Sequence, residues 1–400
     1  MKHSVYIFSY LFPPDYTGAS IQAINLAKAL RECGEKITFV TASQACYKHH
    51  SKQYEGFPVI RLKCKRENAL SIIVFWSKIF WLCFAHRKKF DLIHVIGLNT
   101  LLNVIPIIGK LLNKPTLVKT TLSNEAKQFK FMESTGREHA FNYFSVKKYD
   151  KIICISSMLE NEIKNLINAK GKVVYIPNGV DTKKFYPIEH NKKSKLRELF
   201  RLPINTVIFS YIGVLHKRKN LEWLIKNWLQ VCLQHKNAKL LIAGPHARNT
   251  LMADGGGAEY AEYLQFYSCE LGGDQKIFFL PFRKDVENYF RASDFFINPS
   301  FSEGLSNSML ESMACGNVPI VNKTSGVDDV IDEGIDGFIF DVNDEKSFQE
   351  IIVKCCSLSN EHYKQYSAAA VKKIRLKFSL DAITKQYIKL YNNICHGPNN

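Results

Sequence analysis

Two glutamates, Glu303 and Glu311, lie eight residues apart in the segment PSFSEGLSNSMLESMACGNVP, Pro299 to Pro319. A strand-like run ends at Asn298-Pro299-Ser300, and Ser306 or Asn307 can cap the helix that follows. Helix N-termini collect anions, because free N–H groups and the positive end of the macrodipole point at whatever approaches. The amides of Gly304, Leu305 and Ser306 are therefore expected to face a phosphate, and Gly304 lets the backbone come close. If every step were helical, the glutamates would be about 12 Å apart. That is too far for two carboxyls flanking one glycosidic bond, which sit about 5 to 9.5 Å apart. Each glutamate is expected to hold a different end of an elongated ligand, with the phosphates between them.

Lys217-Arg218-Lys219 follows directly on a strand that ends in Gly213, a position that argues for a functional role. The plain alternative is a solvated charge run. His94, in DLIHVIG, has two readings: a core histidine, favoured because its period-2 partners Leu92 and Ile96 are apolar, or a group facing an acceptor. Gly255-Gly256-Gly257 reads as a surface loop, since no strand leads into it. The chain has no Asp-x-Asp, so no metal is expected to bridge a diphosphate. Its eleven cysteines show neither zinc-ligand nor disulfide spacing, which suits a reducing compartment.

Positioning such residues needs a regular frame. At 400 residues the chain suggests two domains. Short β-branched runs alternate with helix-length stretches, the mark of parallel sheets with crossover helices. The series lapses over residues 182–203, read as a linker, and then resumes. The expected α/β architecture is two Rossmann-like doubly wound domains, residues 1–187 and 188–379, facing across a cleft, with a last helix near 380–396 crossing back onto the first. Ligand should bind at the carboxyl ends of the strands.

Several segments resemble the retaining glycosyltransferases of family 4, which have the GT-B fold. Glu303 and Glu311 match that family's Glu-x7-Glu signature, and Glu311-Ser-Met-Ala-Cys-Gly316 its continuation. PPDYTGASIQAINLAKAL is similar to the N-terminal glycine loop and first helix, YIGVLHKRKN to the basic loop, VYIPNGVDTKKFYP to the interdomain segment, and SGVDDVIDEGIDGFIF to the segment after the signature helix. The resemblance implies that Glu311 holds the ribose hydroxyls of a nucleotide and Glu303 those of the donor sugar. It implies that Lys219 and Arg218 neutralise the diphosphate, that Gly213 and Gly18 let loops approach it, and that Asn178-Gly179 makes a left-handed turn near the hinge. Four departures stand out: Val214 replaces a common arginine, Ile96 a common histidine, Thr17 the first glycine of the first loop, and Asp329 a common glutamate after the signature helix.

The expected activity is transfer of a hexosyl or N-acetylhexosaminyl group, with retention, from a nucleoside-diphosphate sugar to a glycan or lipid-linked acceptor of surface polysaccharide or lipopolysaccharide synthesis. UDP is favoured over GDP, with no cofactor and no metal. One alternative is a GT-B nucleotide-sugar 2-epimerase, which would need catalytic carboxylates that are not evident. The other is a basic nucleic-acid-binding protein, suggested by the net charge of +17. All of that excess falls in residues 1–200, and no basic–aromatic module is visible, so nucleic acid is not expected. An anionic membrane surface or a phosphorylated lipid acceptor is the expected partner of the basic half. The apolar stretch Ala69 to Lys89 is either a packed helix or one lying in a membrane interface, with Trp76 and Trp81 as anchors. No secretion signal is evident, and a cytoplasmic protein, peripheral on the inner face of the membrane, is expected.

Overall fold

The computed structural model describes residues 2–13, 18–43, 52–64, 69–121, 137–168, 170–235, 237–244, 258–281 and 283–397. Thr17 and Gly255-Gly256-Gly257 lie outside the described residues. The chain forms two compact units. The first is Met1–Gly179 with Leu380–Asn400, and the second is Val180–Ser379.

Unit 1 runs β1 Ser4–Ser9, α1 Gly18–Glu32, β2 Lys36–Ser43, β3 Gln53–Tyr54, β4 Phe57–Lys63, α2 Ala69–His86, β5 Leu92–Ile96, α3 Ile105–Leu111, β6 Thr116–Lys119, α4 Arg137–Val146, β7 Lys151–Cys154, α5 Ser157–Ile167 and β8 Val173–Tyr175. The strand order is β3-β4-β2-β1-β5-β6-β7-β8. Only the β3–β4 pair is antiparallel. β5 is buried along its whole length, as a central parallel strand covered on both faces must be. Ser156 caps α5 by accepting from the Leu159 amide (3.3 Å), and Asn168 ends it in the left-handed region (φ 47°).

Unit 2 runs α6 His190–Leu199, β9 Val207–Ile212, α7 Leu221–Gln234, β10 Ala238–Ala243, α8 Ala258–Glu270, β11 Ile277–Leu280, α9 Glu287–Ala292, β12 Phe295–Asn298, α10 Asn307–Ala314, β13 Val318–Asn322, α11 Val327–Val330, β14 Phe338–Phe340, α12 Glu345–Cys356 and α13 Asn360–Lys373. The closing helix, α14 Leu380–His396, belongs to unit 1 and packs on α1. The sheet order in unit 2 is β11-β10-β9-β12-β13-β14, all parallel. Trp228, Phe209 and Phe295 fill the centre of its core, with the two phenylalanine rings stacked at 4.8 Å.

Residues 182–203 are not a bare linker. They contain α6, whose Arg197 is buried and donates to the carbonyls of Ala292, Ile204 and Thr206 and to the Asp294 carboxylate (2.7–2.9 Å). Asp294 also accepts from the Ile208 amide (2.8 Å), which ties α6 to the starts of β9 and β12. Basic composition concealed an internal ion pair here. The boundary at 187/188 suggested by the sequence differs from the division at Gly179/Val180, because the Val180 amide donates to the Phe378 carbonyl (2.9 Å) and Phe185 packs on Phe290.

Burial alone would raise the Asp294 pKa, but Lys193 and Arg197 override it and hold the group below the carboxylate range. An acid with a depressed folded pKa contributes stability above its unfolded pKa and loses it as pH falls through the folded value. Arg197→Ala removes one of the two cations that hold this carboxylate and leaves Lys193 as its ion-pair partner, so unfolding free energy should drop, by at most about 3–5 kcal/mol. Urea unfolding of the variant measures this, and a midpoint equal to wild type would show that Arg197 contributes nothing to stability.

Candidate active site

In unit 2 the strand order reverses beside β9: β10 lies on one side and β12 on the other. The loops leaving β9 and β12 therefore flank a topological switch point, the usual position of a ligand crevice in an open α/β sheet. Gly213 leaves β9 first. Its amide donates to the Ala243 carbonyl (3.0 Å), and a Cβ there would come within 3.2 Å of the Tyr211 hydroxyl. Tyr211 donates to the Val214 carbonyl (2.8 Å), bracing the loop from below. Lys217–Lys219 form one 3-10 turn, capped by His216, whose Nδ1 accepts from the Arg218 amide (2.9 Å). His216 is thereby engaged by the backbone, Lys217 is exposed, and Arg218 and Lys219 turn inward.

Both inward cations meet Glu303. Arg218 Nη1 lies 3.3 Å from Glu303 Oε2 and donates to the Ser302 carbonyl (2.8 Å), while Lys219 Nζ pairs with Glu303 Oε1. The Arg218 carbonyl accepts from the Phe301 amide (3.1 Å), so backbone and side chain lock the two loops together. Glu303 is buried. Burial opposes its charge, but Lys219 first and then Arg218 hold its carboxyl below the usual range. Two cations against one carboxylate leave a net positive cluster.

Directly after Glu303 come Gly304, Leu305 and Ser306, whose amides donate to no acceptor among the described residues. The Ser306 hydroxyl caps α10 by accepting from the Met309 amide (3.3 Å), which settles the choice between Ser306 and Asn307. Free amides, a helix N-terminus and two basic side chains make a cradle for a doubly charged phosphate group.

Glu311 lies one turn further along α10. Because residues 303–306 are loop, the helical spacing of about 12 Å assumed from sequence does not apply. Its half-buried carboxyl has no hydrogen-bond partner among the described residues, and burial pushes its pKa up to about 8, with Lys184 lowering and Glu287 raising it further. Gly316, at φ 91°, ends α10 in the left-handed conformation that the signature's last position requires.

Sequence reasoning missed the supports of the cradle. The Asn322 side-chain amide donates to the Ser300 carbonyl (2.8 Å) and its oxygen accepts from the Val342 amide (3.1 Å), so the end of β13 fixes the loop after β12. Asn298 does the same through its bond to the Ser300 hydroxyl. Gly244, at the end of β10, sits so close to Gly213 that a Cβ would lie 1.8 Å from the Gly213 carbonyl oxygen. The signal was visible in KLLIAG, a strand ending in glycine. Gly244→Ala should displace the Gly213 loop and cost roughly 1–3 kcal/mol. Calorimetric titration with UDP should show weaker binding, and unchanged affinity with an unchanged midpoint of unfolding would contradict this close packing. A cavity of about 190 Å³, lined by Leu215, Ile242, Gln265, Phe279, Leu280 and Pro281, lies at the ends of β10 and β11.

In unit 1, Gly18 opens α1, after the loop that leaves β1 at that sheet's own switch point. His94 is not open to a substrate. It is fully buried in β5, its Nδ1 is 2.9 Å from the Tyr391 hydroxyl, and its ring stacks on Tyr387 of α14. Burial, and secondarily Lys119, lowers its pKa to about 3, so it is a neutral packing residue. Asn178-Gly179 does not form the expected left-handed turn, since neither residue has positive φ. A Cβ on Gly179 would fit tightly, 3.1 Å from Leu380 Cα and 3.3 Å from Ile383 Cβ.

Residues 16–184 match the model of Glycosyltransferase Family 4, and residues 192–373 match that of Glycosyl transferases group 1. The chain belongs to glycosyltransferase family 4. As a member of family 4 it is a glycosyltransferase of GT-B fold. The UDP-Gal:alpha-D-GlcNAc-diphosphoundecaprenol alpha-1,3-galactosyltransferase of Escherichia coli is 28% identical over 67% of each chain. The N-acetyl-alpha-D-glucosaminyl L-malate synthase of Bacillus anthracis is 20% identical over 100% of this chain and 99% of its own. Other curated relatives are matched over as little as 48% of their length. Among solved structures, Anabaena HepE in complex with UDP superposes with a TM-score of 0.79 at 17% identity, over 98% of this chain and 100% of that one.

Proposed function

We propose that this glycosyltransferase moves a hexosyl or N-acetylhexosaminyl group, with retention and without a metal, from a UDP-sugar to a glycan or lipid-linked acceptor in surface polysaccharide or lipopolysaccharide synthesis, on the cytoplasmic side of an anionic membrane. The observation that carries this reading is the Arg218–Lys219–Glu303 cluster set against the free amides of Gly304, Leu305 and Ser306. Breaking a glycosyl–phosphate bond leaves negative charge on the departing diphosphate. Fixed cations and helix-terminal amides stabilise that charge without reorganising, and in many enzymes such stabilisation lowers the barrier more than any other effect. The half-buried Glu311 carboxyl, without a hydrogen-bond partner among the described residues, suits ribose hydroxyls, and Glu303, ordered by its two cations, suits hydroxyls of the sugar. The E. coli relative acts on a lipid-linked diphosphate acceptor by its name, and UDP is the nucleotide in the HepE structure.

In this reading the acceptor hydroxyl attacks the face from which the diphosphate leaves, and the donor phosphate takes its proton. No protein base is assigned. A metal-free reaction keeps its rate in the presence of a chelator. If chelation abolished transfer and a divalent cation restored it, Arg218 and Lys219 would not be the main partners of the diphosphate.

A further inference from the structure

Helix α2 is apolar on the side that faces the protein and again on the side that does not. Phe75, Ile79 and Cys83 are buried at spacings of four. On the other side Leu70 (68% exposed), Ile73 (57%), Val74, Trp81 (63%) and Phe84 form one stripe at helical spacing, interrupted only by Ser77. A helix apolar all round belongs in a core or in lipid, and core covers only half of this one. Its fixing to the protein is firm: Trp76 donates to the Leu101 carbonyl (3.0 Å) and stacks on Phe141 of α4 at 5.1 Å, and Lys78 donates to the Lys63 carbonyl (2.9 Å). The stripe is a fixed surface of unit 1.

Charge identifies what covers it. The 18 residues of α2 contain no acid, and the helix runs into Arg87, Lys88 and Lys89, all exposed, with the Arg87 guanidinium 4.4 Å above the Phe84 ring. The neighbouring helices repeat the pattern: Leu111 and Phe144 are exposed, and Lys148 lies 4.5 Å above the Phe144 ring. Unit 1 as a whole holds 28 Lys and Arg against 13 Asp and Glu, a balance of +15, while unit 2 holds 26 against 24, a balance of +2. A second copy docked on this stripe would bring two such units face to face. A sheet of lipid phosphates relieves the charge that a second copy would double.

We propose that the exposed face of α2 is the surface by which the protein enters the interfacial layer of an anionic lipid bilayer. Leu70, Ile73, Val74, Trp81 and Phe84 sit at the acyl boundary, and Arg87, Lys88 and Lys89 contact lipid phosphates. The helix lies along the surface. Among the described residues no helix is long and apolar enough to cross a membrane. The inference names the docking face of the membrane partner and rests on the lipid-linked acceptor reading for its purpose, not for its geometry.

Cosedimentation at physiological salt with vesicles of phosphatidylcholine, alone or mixed with phosphatidylglycerol, tests it. Wild type should pellet with the anionic vesicles, and brominated lipid should quench the fluorescence of Trp81. Ile73→Glu/Val74→Glu, which keeps Trp81, should abolish quenching and lower partitioning at least 10-fold, and Arg87→Ala/Lys88→Ala/Lys89→Ala should lower it roughly 100-fold. Both variants should keep the thermal shift given by UDP, whose cradle lies in unit 2. Equal recovery with the two vesicle types, or undiminished binding in both variants, would overturn the proposal. So would a concentration-dependent dimer lost in the same variants without lipid binding. Loss of the UDP shift in wild type, with vesicle binding intact, would count instead against the donor site.

Discussion

Lys219→Ala should lower kcat for glycosyl transfer by about 100- to 1000-fold, the loss that follows removal of one fixed donor to a developing charge. The Lys219 ammonium is paired with Glu303 Oε1 inside a buried cluster, and of the two cations Arg218, 3.3 Å from Oε2, would be left to stabilise both that carboxylate and, with the helix-terminal amides, a leaving diphosphate. A cation that acts on the leaving group is worth more in the transition state than in the ground state, so kcat should fall further than KM rises. Steady-state kinetics with a UDP-sugar give both constants. Circular dichroism separates this effect from unfolding, because the variant also strands part of the Glu303 charge. Turnover within threefold of wild type in a folded variant would remove Lys219 from the chemistry.

The second large effect concerns Glu311 and pH. In the free protein, burial first, and then Glu287, keep this carboxyl protonated up to about 8 against an ordinary value of 4.5. An acid whose folded pKa is raised opposes folding once the unfolded chain ionises, so its cost in stability grows as pH rises from about 4.5 to about 8. Hydroxyls that donate to the carboxylate favour the ionised form and return some of that cost on binding. Nucleotide binding should therefore release a proton below about pH 8, and affinity for UDP should rise with pH towards that value by up to tenfold per unit. Glu311→Gln should flatten this profile, and Glu311→Ala should weaken binding by about 100-fold, the scale of a lost charged hydrogen-bond acceptor of two hydroxyls. Calorimetric titrations in buffers of different ionisation heat count the proton directly. A pH-independent affinity in wild type would contradict the assignment of Glu311 to the ribose.

Much of the fold was legible because each strand in the series announces itself. VIFSYI, KLLIA and FFIN are short apolar runs suited to a doubly covered parallel strand, and each gives way to a loop that begins with glycine or proline. Residues 182–203 were illegible for the opposite reason. Their lysines and arginines suggest solvent, but Arg197 is consumed by Asp294, almost a hundred residues away, and no local pattern reports such a partner. Of the site, the cradle at Gly304 to Ser306 and the cation turn could be located because helix-terminal amides and glycine-ended strands have local signatures. Their supports, Asn322 and Gly244, act through contacts between strand ends that only the sheet order creates. The pairing of Glu303 with both Arg218 and Lys219 was hidden in the same way, since residues more than eighty positions apart meet only because β9 and β12 are neighbours.

The proposed retaining transfer from a UDP-sugar, with the cation cluster of unit 2 acting on the diphosphate, can be tested by proton magnetic resonance of the purified protein with an α-linked UDP-sugar and a lipid extract as acceptor source. The expected result is release of UDP, a product whose anomeric proton keeps the α configuration, and loss of both signals in Lys219→Ala. A β-configured product, or conversion of the donor to its 2-epimer without release of UDP, would contradict it.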